Sequence, residues 1–186
     1  IVTDGMLSVF ADNNKLLTIG GFVYASDKIL NNIGYWNGSN WENIGTGIVG
    51  GATFRNDIMH LMTGPTGLTQ YAKMGQTMYL GGSFEQLGAY RCDNITSYRE
   101  GTTECVGGGI YESHVGSGGQ FVSPAYLTGM QVIGSNLFVA GDFKKAGQVP
   151  VESIAQWDGK QWSDLGGGIP NTRGSFLLAQ DSSGKL

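Results

Sequence analysis

Leu137-Phe-Val-Ala-Gly-Asp-Phe143 is the stretch that decides the fold, because it occurs three times in altered form. The other copies are Leu17-Thr-Ile-Gly-Gly-Phe22 and Met78-Tyr-Leu-Gly-Gly-Ser-Phe84. Each is followed at a matching interval by an Asn/Ser-Ile pair and then an aromatic residue: Asn32-Ile33 to Trp36, Asn94-Ile95 to Tyr98, and Ser153-Ile154 to Trp157. A third landmark closes each copy, as Ile44-Gly-Thr-Gly-Ile48, Val106-Gly-Gly-Gly-Ile110 and Leu165-Gly-Gly-Gly-Ile169. Phe22 and Phe84 are 62 residues apart, Phe84 and Phe143 are 59 apart, so the chain repeats one supersecondary unit.

Four strand-like segments are read within each unit from apolar alternation and turn residues; in the third they cover roughly residues 129–133, 137–143, 153–157 and 161–165. Asp158-Gly159 joins the last two, and Asn37-Gly38 is its counterpart in the first unit. Both dipeptides tolerate the positive φ of a tight hairpin. Four antiparallel strands make one propeller blade. The expected fold is therefore all-β: a β-propeller segment of three four-stranded blades plus the first strand of a fourth. The units are 1–66 and 67–124, each a blade with a long connecting loop, then 125–173 as blade three and 174–186 as the first strand of a following blade. Residues 174–186 repeat the pattern of 5–16 and stop where a fourth Gly-Gly strand is due, so the parent chain is expected to continue.

Composition agrees with short strands and tight turns. There are 32 glycines among 186 residues, with 11% aromatic and only 14% charged side chains. A net charge of −4 without any Lys/Arg cluster removes nucleic acid from the expected partners. No apolar run approaches the roughly 20 residues of a membrane span, so none is expected in this segment.

The landmark residues read mainly as architecture. Trp36 with Trp41, and Trp157 with Trp162, could stack on sugars, but their recurrence in each blade favours packing between neighbouring sheets. The second copy carries Tyr98, with Thr103 where the others have the second Trp. Gly20, Gly21, Gly81, Gly82 and Gly141 lack the Lys and following helix of a phosphate loop and read as sites of close backbone approach. Cys92 and Cys105 fall on facing strands around a turn near Glu100-Gly101, where a disulfide is plausible and could stand in for the missing Trp. Two cysteines and two distant histidines do not have metal-ligand spacing, and no cofactor is expected. Asn37-Gly-Ser39 and Asn94-Ile-Thr96 are glycosylation sequons, which together with a disulfide favour an extracellular or cell-surface location by way of the secretory pathway.

Function is expected in the loops. In a four-stranded blade, the connections from second to third strand and from blade to blade emerge on one face, and here the blade-to-blade connections are long after the first two copies. Long loops on a rigid scaffold are the usual place for recognition. The candidates are Arg55, Asn56, Asp57 and His60 in the first and Tyr111, Glu112 and His114 in the second. Asp57 and Glu112 with a histidine would be conceivable as a hydrolytic pair, but nothing in the sequence fixes their separation.

The succession G-G-x-F, then N-I-x-x-W-x-G-x-x-W-x-x-L-G-x-G-I, resembles kelch-like propeller repeats. It is most similar to the ectodomain of Rax2-type cortical markers of cell polarity in fungi and to related secreted microbial repeat proteins. The resemblance covers essentially the whole chain. It implies a glycosylated, single-pass surface protein that marks or binds sites through protein contacts. Galactose-oxidase-like enzymes use kelch-type blades too, but their copper centre needs a Tyr and His set with a cross-linked Cys, for which no matching motif is present. The expected function is non-catalytic: protein interaction, adhesion or surface organisation, with a protein partner or the remaining blades of the same chain as partner. Glycan binding is the alternative, and a copper or glycan-active enzyme the third reading.

Overall fold

The computed structural model describes residues 7–45, 47, 68–82, 86–87, 90–100, 102–111, 125–170 and 178. Alternating apolar residues and paired turn residues build three antiparallel sheets of four strands each. The first contains Leu7–Asp12, Lys15–Gly20, Ile33–Trp36 and Trp41–Asn43. The second contains Leu68–Met74, Thr77–Gly82, Ile95–Arg99 and Thr102–Cys105. The third contains Tyr126–Ile133, Asn136–Asp142, Ile154–Trp157 and Trp162–Asp164. In every sheet the strands lie side by side in chain order. Among the described residues the chain is all-β, no sheet closes on itself, and no helix is long and apolar enough to cross a membrane.

The predicted turns have a clear chemical basis. Asn37 Oδ1 accepts the backbone N–H groups of Ser39 and Asn40 at 2.9 and 2.8 Å, and Asp158 Oδ1 accepts those of Lys160 and Gln161, both at 2.8 Å. Gly38 and Gly159 then take φ of 98° and 95°, a region that L side chains rarely enter. The second sheet uses a tighter turn between Arg99 and Thr102, with Glu100 at φ 51°.

Two features depart from the sequence expectation. A two-residue-strand hairpin sits between the second and third strands of each sheet: Tyr24–Ala25 with Lys28–Ile29, Gln86–Leu87 with Tyr90–Arg91, and Lys145–Ala146 with Val149–Pro150. Strands this short carry no alternation to read. The alignment of the first copy also shifts by one residue. Leu16 pairs with Trp36, Met78 with Tyr98, and Leu137 with Trp157, so Leu16 rather than Leu17 corresponds to Met78 and Leu137. Gly20, Gly82 and Gly141 are then equivalent, each donating its N–H to the carbonyl of Asn32, Asn94 or Ser153 at 3.0 Å. Backbone pairing sets the register, and the resemblance of the Gly-Gly pairs does not.

The sheets stack face to face. Leu17, Ile19 and Ile33 of the first meet Met78, Leu80 and Tyr98 of the second in one buried cluster. Ala72, Tyr79 and Ile95 of the second meet Met130, Leu137, Val139, Ala155, Trp157 and Trp162 of the third in another. Gly81 belongs to this second contact. A Cβ there would lie 2.5 Å from the Met130 methyl and 2.9 Å from a Leu127 methyl, so the close approach expected of the glycines is made here against the neighbouring sheet.

Candidate functional site

Of the loop residues singled out by sequence, Arg55, Asn56, Asp57, His60, Glu112 and His114 lie outside the described residues. Tyr111 is described. It pairs with Lys145 through the short strand Ile110–Tyr111, and its hydroxyl donates to the Gly108 carbonyl. Its described contacts therefore hold one sheet's exit segment against the next sheet's hairpin.

The same joint appears twice. Tyr98 of the second sheet donates its hydroxyl to the Ile44 carbonyl of the first at 2.6 Å. Trp162 of the third donates Nε1–H to the Val106 carbonyl of the second at 3.2 Å. Ile44 and Val106 both open the glycine-rich landmark, and both carbonyls also accept a bond at 2.9 Å from the glycine three residues on. Gly107, next to Val106, lies beneath the two tryptophans, and a Cβ on it would come within 2.4 Å of the Trp157 ring and 2.5 Å of Trp162 Nε1. Glycine is required there both by this contact and by its φ of 54°. The second and third sheets thus each receive the glycine-rich turn of the sheet before, the second beside Tyr98 and the third beside Trp157 and Trp162.

Among the described residues no turn or sheet covers this receiving face on the first sheet. Trp36 and Trp41 keep the tilted arrangement of Trp157 and Trp162, with ring centroids 5.5 against 5.2 Å apart and interplanar angles of 54° against 51°. Their surroundings differ. Trp157 and Trp162 are buried, whereas Trp36 and Trp41 are only partly covered. Leu16 is 45% exposed, while its counterparts Met78 and Leu137 are 7% and 0% exposed. Val9 and the hairpin residues Val23, Tyr24 and Ile29 are exposed as well. By register Val9, Leu16, Trp36 and Trp41 share one face of the sheet, and this apolar and aromatic face is the candidate interaction surface. Residue types at 36 and 157 are identical, so only the neighbouring sheet distinguishes them.

A polar cluster joins the first and second sheets. Lys73 Nζ lies 2.8 and 3.1 Å from the two Asp12 carboxylate oxygens, and the Tyr35 hydroxyl donates to Asp12 Oδ2. The Tyr71 hydroxyl is sealed from solvent without a well-formed hydrogen bond of its own. Burial pushes the Asp12 carboxyl up, but the Lys73 and Tyr35 donors outweigh it and hold the group below its ordinary value. Burial raises both phenols, and the Asp12 charge adds to this, so they stay protonated. With its folded pKa below the unfolded one, Asp12 stabilises the fold above the ordinary value of 3.8, and this contribution is lost as pH falls through the lower folded value. Asp12→Asn should therefore flatten the decline of stability between about pH 5 and pH 2. Denaturant unfolding of both proteins across that range reads the difference. An unchanged acid slope would remove Asp12 from the acid response.

The two sequon asparagines separate. Asn37 is an exposed turn residue. Asn94 is 5% exposed, has φ 66°, and donates Nδ2–H to the Ile110 carbonyl at 2.7 Å. A glycan on that nitrogen would have to leave through packed protein and would disturb this buried bond, so the placement argues for a structural role in the folded chain. Cys92 and Cys105 are joined by a disulfide with Cα atoms 5.1 Å apart. Thr103 pairs with Tyr98 as Trp41 does with Trp36. The bridge does not fill that site, because Cys105 lies opposite Thr96, where the first sheet has Asn43 opposite Gly34. Asn43 Nδ2 donates to the Ile29 carbonyl, so both devices tie a last strand to the segment ahead of the third. Among the described residues no three His, Cys, Asp or Glu side chains come together in a metal-binding group. Compared with protein-family models and with curated proteins, the chain matches none.

Proposed function

We propose that the chain is a non-catalytic β-propeller segment of an extracellular or cell-surface protein, its three four-stranded sheets serving as blades in protein interaction, adhesion or surface organisation. The observation that carries this reading is the joint made twice between successive sheets, a stacking expected of blades rather than of a sandwich. The disulfide supports the extracellular location, since such bonds persist in oxidising compartments. Recognition is assigned to the long connections after the first and second sheets, which carry Asp57, His60, Glu112 and His114.

Chains shortened within 49–67 or within 113–124 are expected to lose surface binding in a cell-binding assay, whereas Asp57→Asn, Glu112→Gln and the single His→Ala changes keep it. Loss on one single ionisable change would point to a chemical site instead. The half-covered Trp36 and Trp41 favour glycan binding as the second reading, because an exposed ring pair offers a stacking platform. A glycan array probed with the chain is expected to stay blank. Saturable binding abolished by Trp36→Ala would establish the lectin reading.

A further inference from the structure

We propose that Cys105 is a reversible thiol-exchange site: a small soluble thiol attacks its sulfur, becomes joined to Cys105, and releases Cys92 as a buried thiol between the first and second sheets. The inference goes beyond the interaction reading and does not depend on it. Its basis is that the two ends of the bridge stand in different media. Cys92 is 1% exposed and belongs to the apolar cluster of Leu17, Ile19, Ile33, Met78, Leu80 and Tyr98. Cys105 is exposed at the end of the last strand of the second sheet. The fold imposes this asymmetry, since it recurs where no cysteine is present. Leu30, Cys92 and Val151 stand three residues before Ile33, Ile95 and Ile154, and they are 1%, 1% and 4% exposed. The matching last-strand residues Asn43, Cys105 and Asp164 lie opposite Gly34, Thr96 and Ala155, and all three are exposed. The inner position belongs to the core and the outer one to the surface in every sheet.

Thiol–disulfide exchange proceeds by attack of a thiolate on one sulfur of the bridge, and which sulfur is attacked depends on access. A thiol reaches Cys105 from water, whereas reaching Cys92 requires the cluster around it to unpack first. In the step, the bond between Cys92 and Cys105 breaks, a new S–S bond forms between the thiol and Cys105, and the proton lost by the thiol ends on Cys92. Protonation follows from place, because a thiolate among those apolar side chains would be a buried charge without a partner. One thiol and one disulfide enter and one of each leaves, so no other reagent is needed. The two Cα atoms are 5.1 Å apart, so Cys92 stays within reach and closes the bond again when the thiol is removed. While open, the exchange unties the strand that leads into Val106, whose carbonyl receives Trp162 of the third sheet. A surface thiol reaction thus acts on the joint between two sheets.

Glutathione is the probe. The folded parent is incubated with it at about pH 8, where a useful share of the thiol is ionised, then quenched in acid and digested for peptide mass spectrometry. The adduct is expected on Cys105 at least about tenfold more often than on Cys92, and at similar yield on both when the chain is unfolded in denaturant. Equal labelling of the folded chain, or a preference for Cys92, overturns the proposal. Because Cys92 can close the bond again and empty the adduct, two single variants complete the test. Cys92→Ala leaves Cys105 with no resolving thiol, Cys105→Ala leaves Cys92 alone, and denaturant titration verifies that each is folded. Offered glutathione disulfide, Cys92→Ala is expected to take up one glutathione at least about tenfold faster than Cys105→Ala. Similar rates overturn the proposal, as does a folded Cys92→Ala that takes up none. Where a variant does not fold, the parent decides alone: no detectable Cys105 adduct at any glutathione concentration overturns the proposal.

Discussion

Trp162→Ala should lower the unfolding free energy by about 3–5 kcal/mol, and Trp41→Ala by only about 1–2 kcal/mol, although the two residues hold equivalent places in their repeats. Trp162 is buried between two sheets, packs on Trp157 and on Gly107, and satisfies the Val106 carbonyl with its ring N–H. Truncation leaves a cavity in a contact that glycine has already brought to its closest approach, so little collapse can refill it. Trp41 has the same ring partner but lies on the open face, where water replaces the lost contacts. Denaturant titrations of the two variants, with the slope held constant, give the comparison. Equal losses would show that the face of the first sheet is covered in the free chain.

Replacing both cysteines, as Cys92→Ala with Cys105→Ala, should cost about 3 kcal/mol, the value for a cross-link closing a loop of this size. The bond fastens the last strand of the second sheet to the residue three before its third, where the first sheet relies on the Asn43 side chain and the Ile29 carbonyl. One such hydrogen bond contributes about 1 kcal/mol, so the second sheet depends more heavily on its tether than the first. A reductant should lower the midpoint of the parent and leave that of the double variant unchanged. A parent insensitive to complete reduction would mean that packing around the buried Cys92 holds the hairpin without the bond.

Much of this was legible because the residues concerned act on their own backbone. Asn37-Gly38 and Asp158-Gly159 mark turns since the side-chain oxygen caps the N–H groups immediately after it and glycine takes the positive φ. Four strands per repeat follow from alternation, and meander order follows from short connections. The two-residue hairpins escaped because they are too short to alternate. The first copy's register escaped because two adjacent glycines look alike, whereas only one of them can donate to the Asn32 carbonyl. Asn94 read as a sequon because its triplet is local, while the Ile110 carbonyl that engages it lies 16 residues on.

The candidate surface shows the same division more sharply. By itself the sequence determined that Trp36, Trp41, Trp157 and Trp162 are one device repeated, and that glycine must follow Val106 and Leu165 at the turn. Which pair is covered was decided only by the tertiary structure, because burial belongs to a residue together with its neighbour: Val106 and Gly107 stand over the third sheet's tryptophans, and no described sheet stands over those of the first.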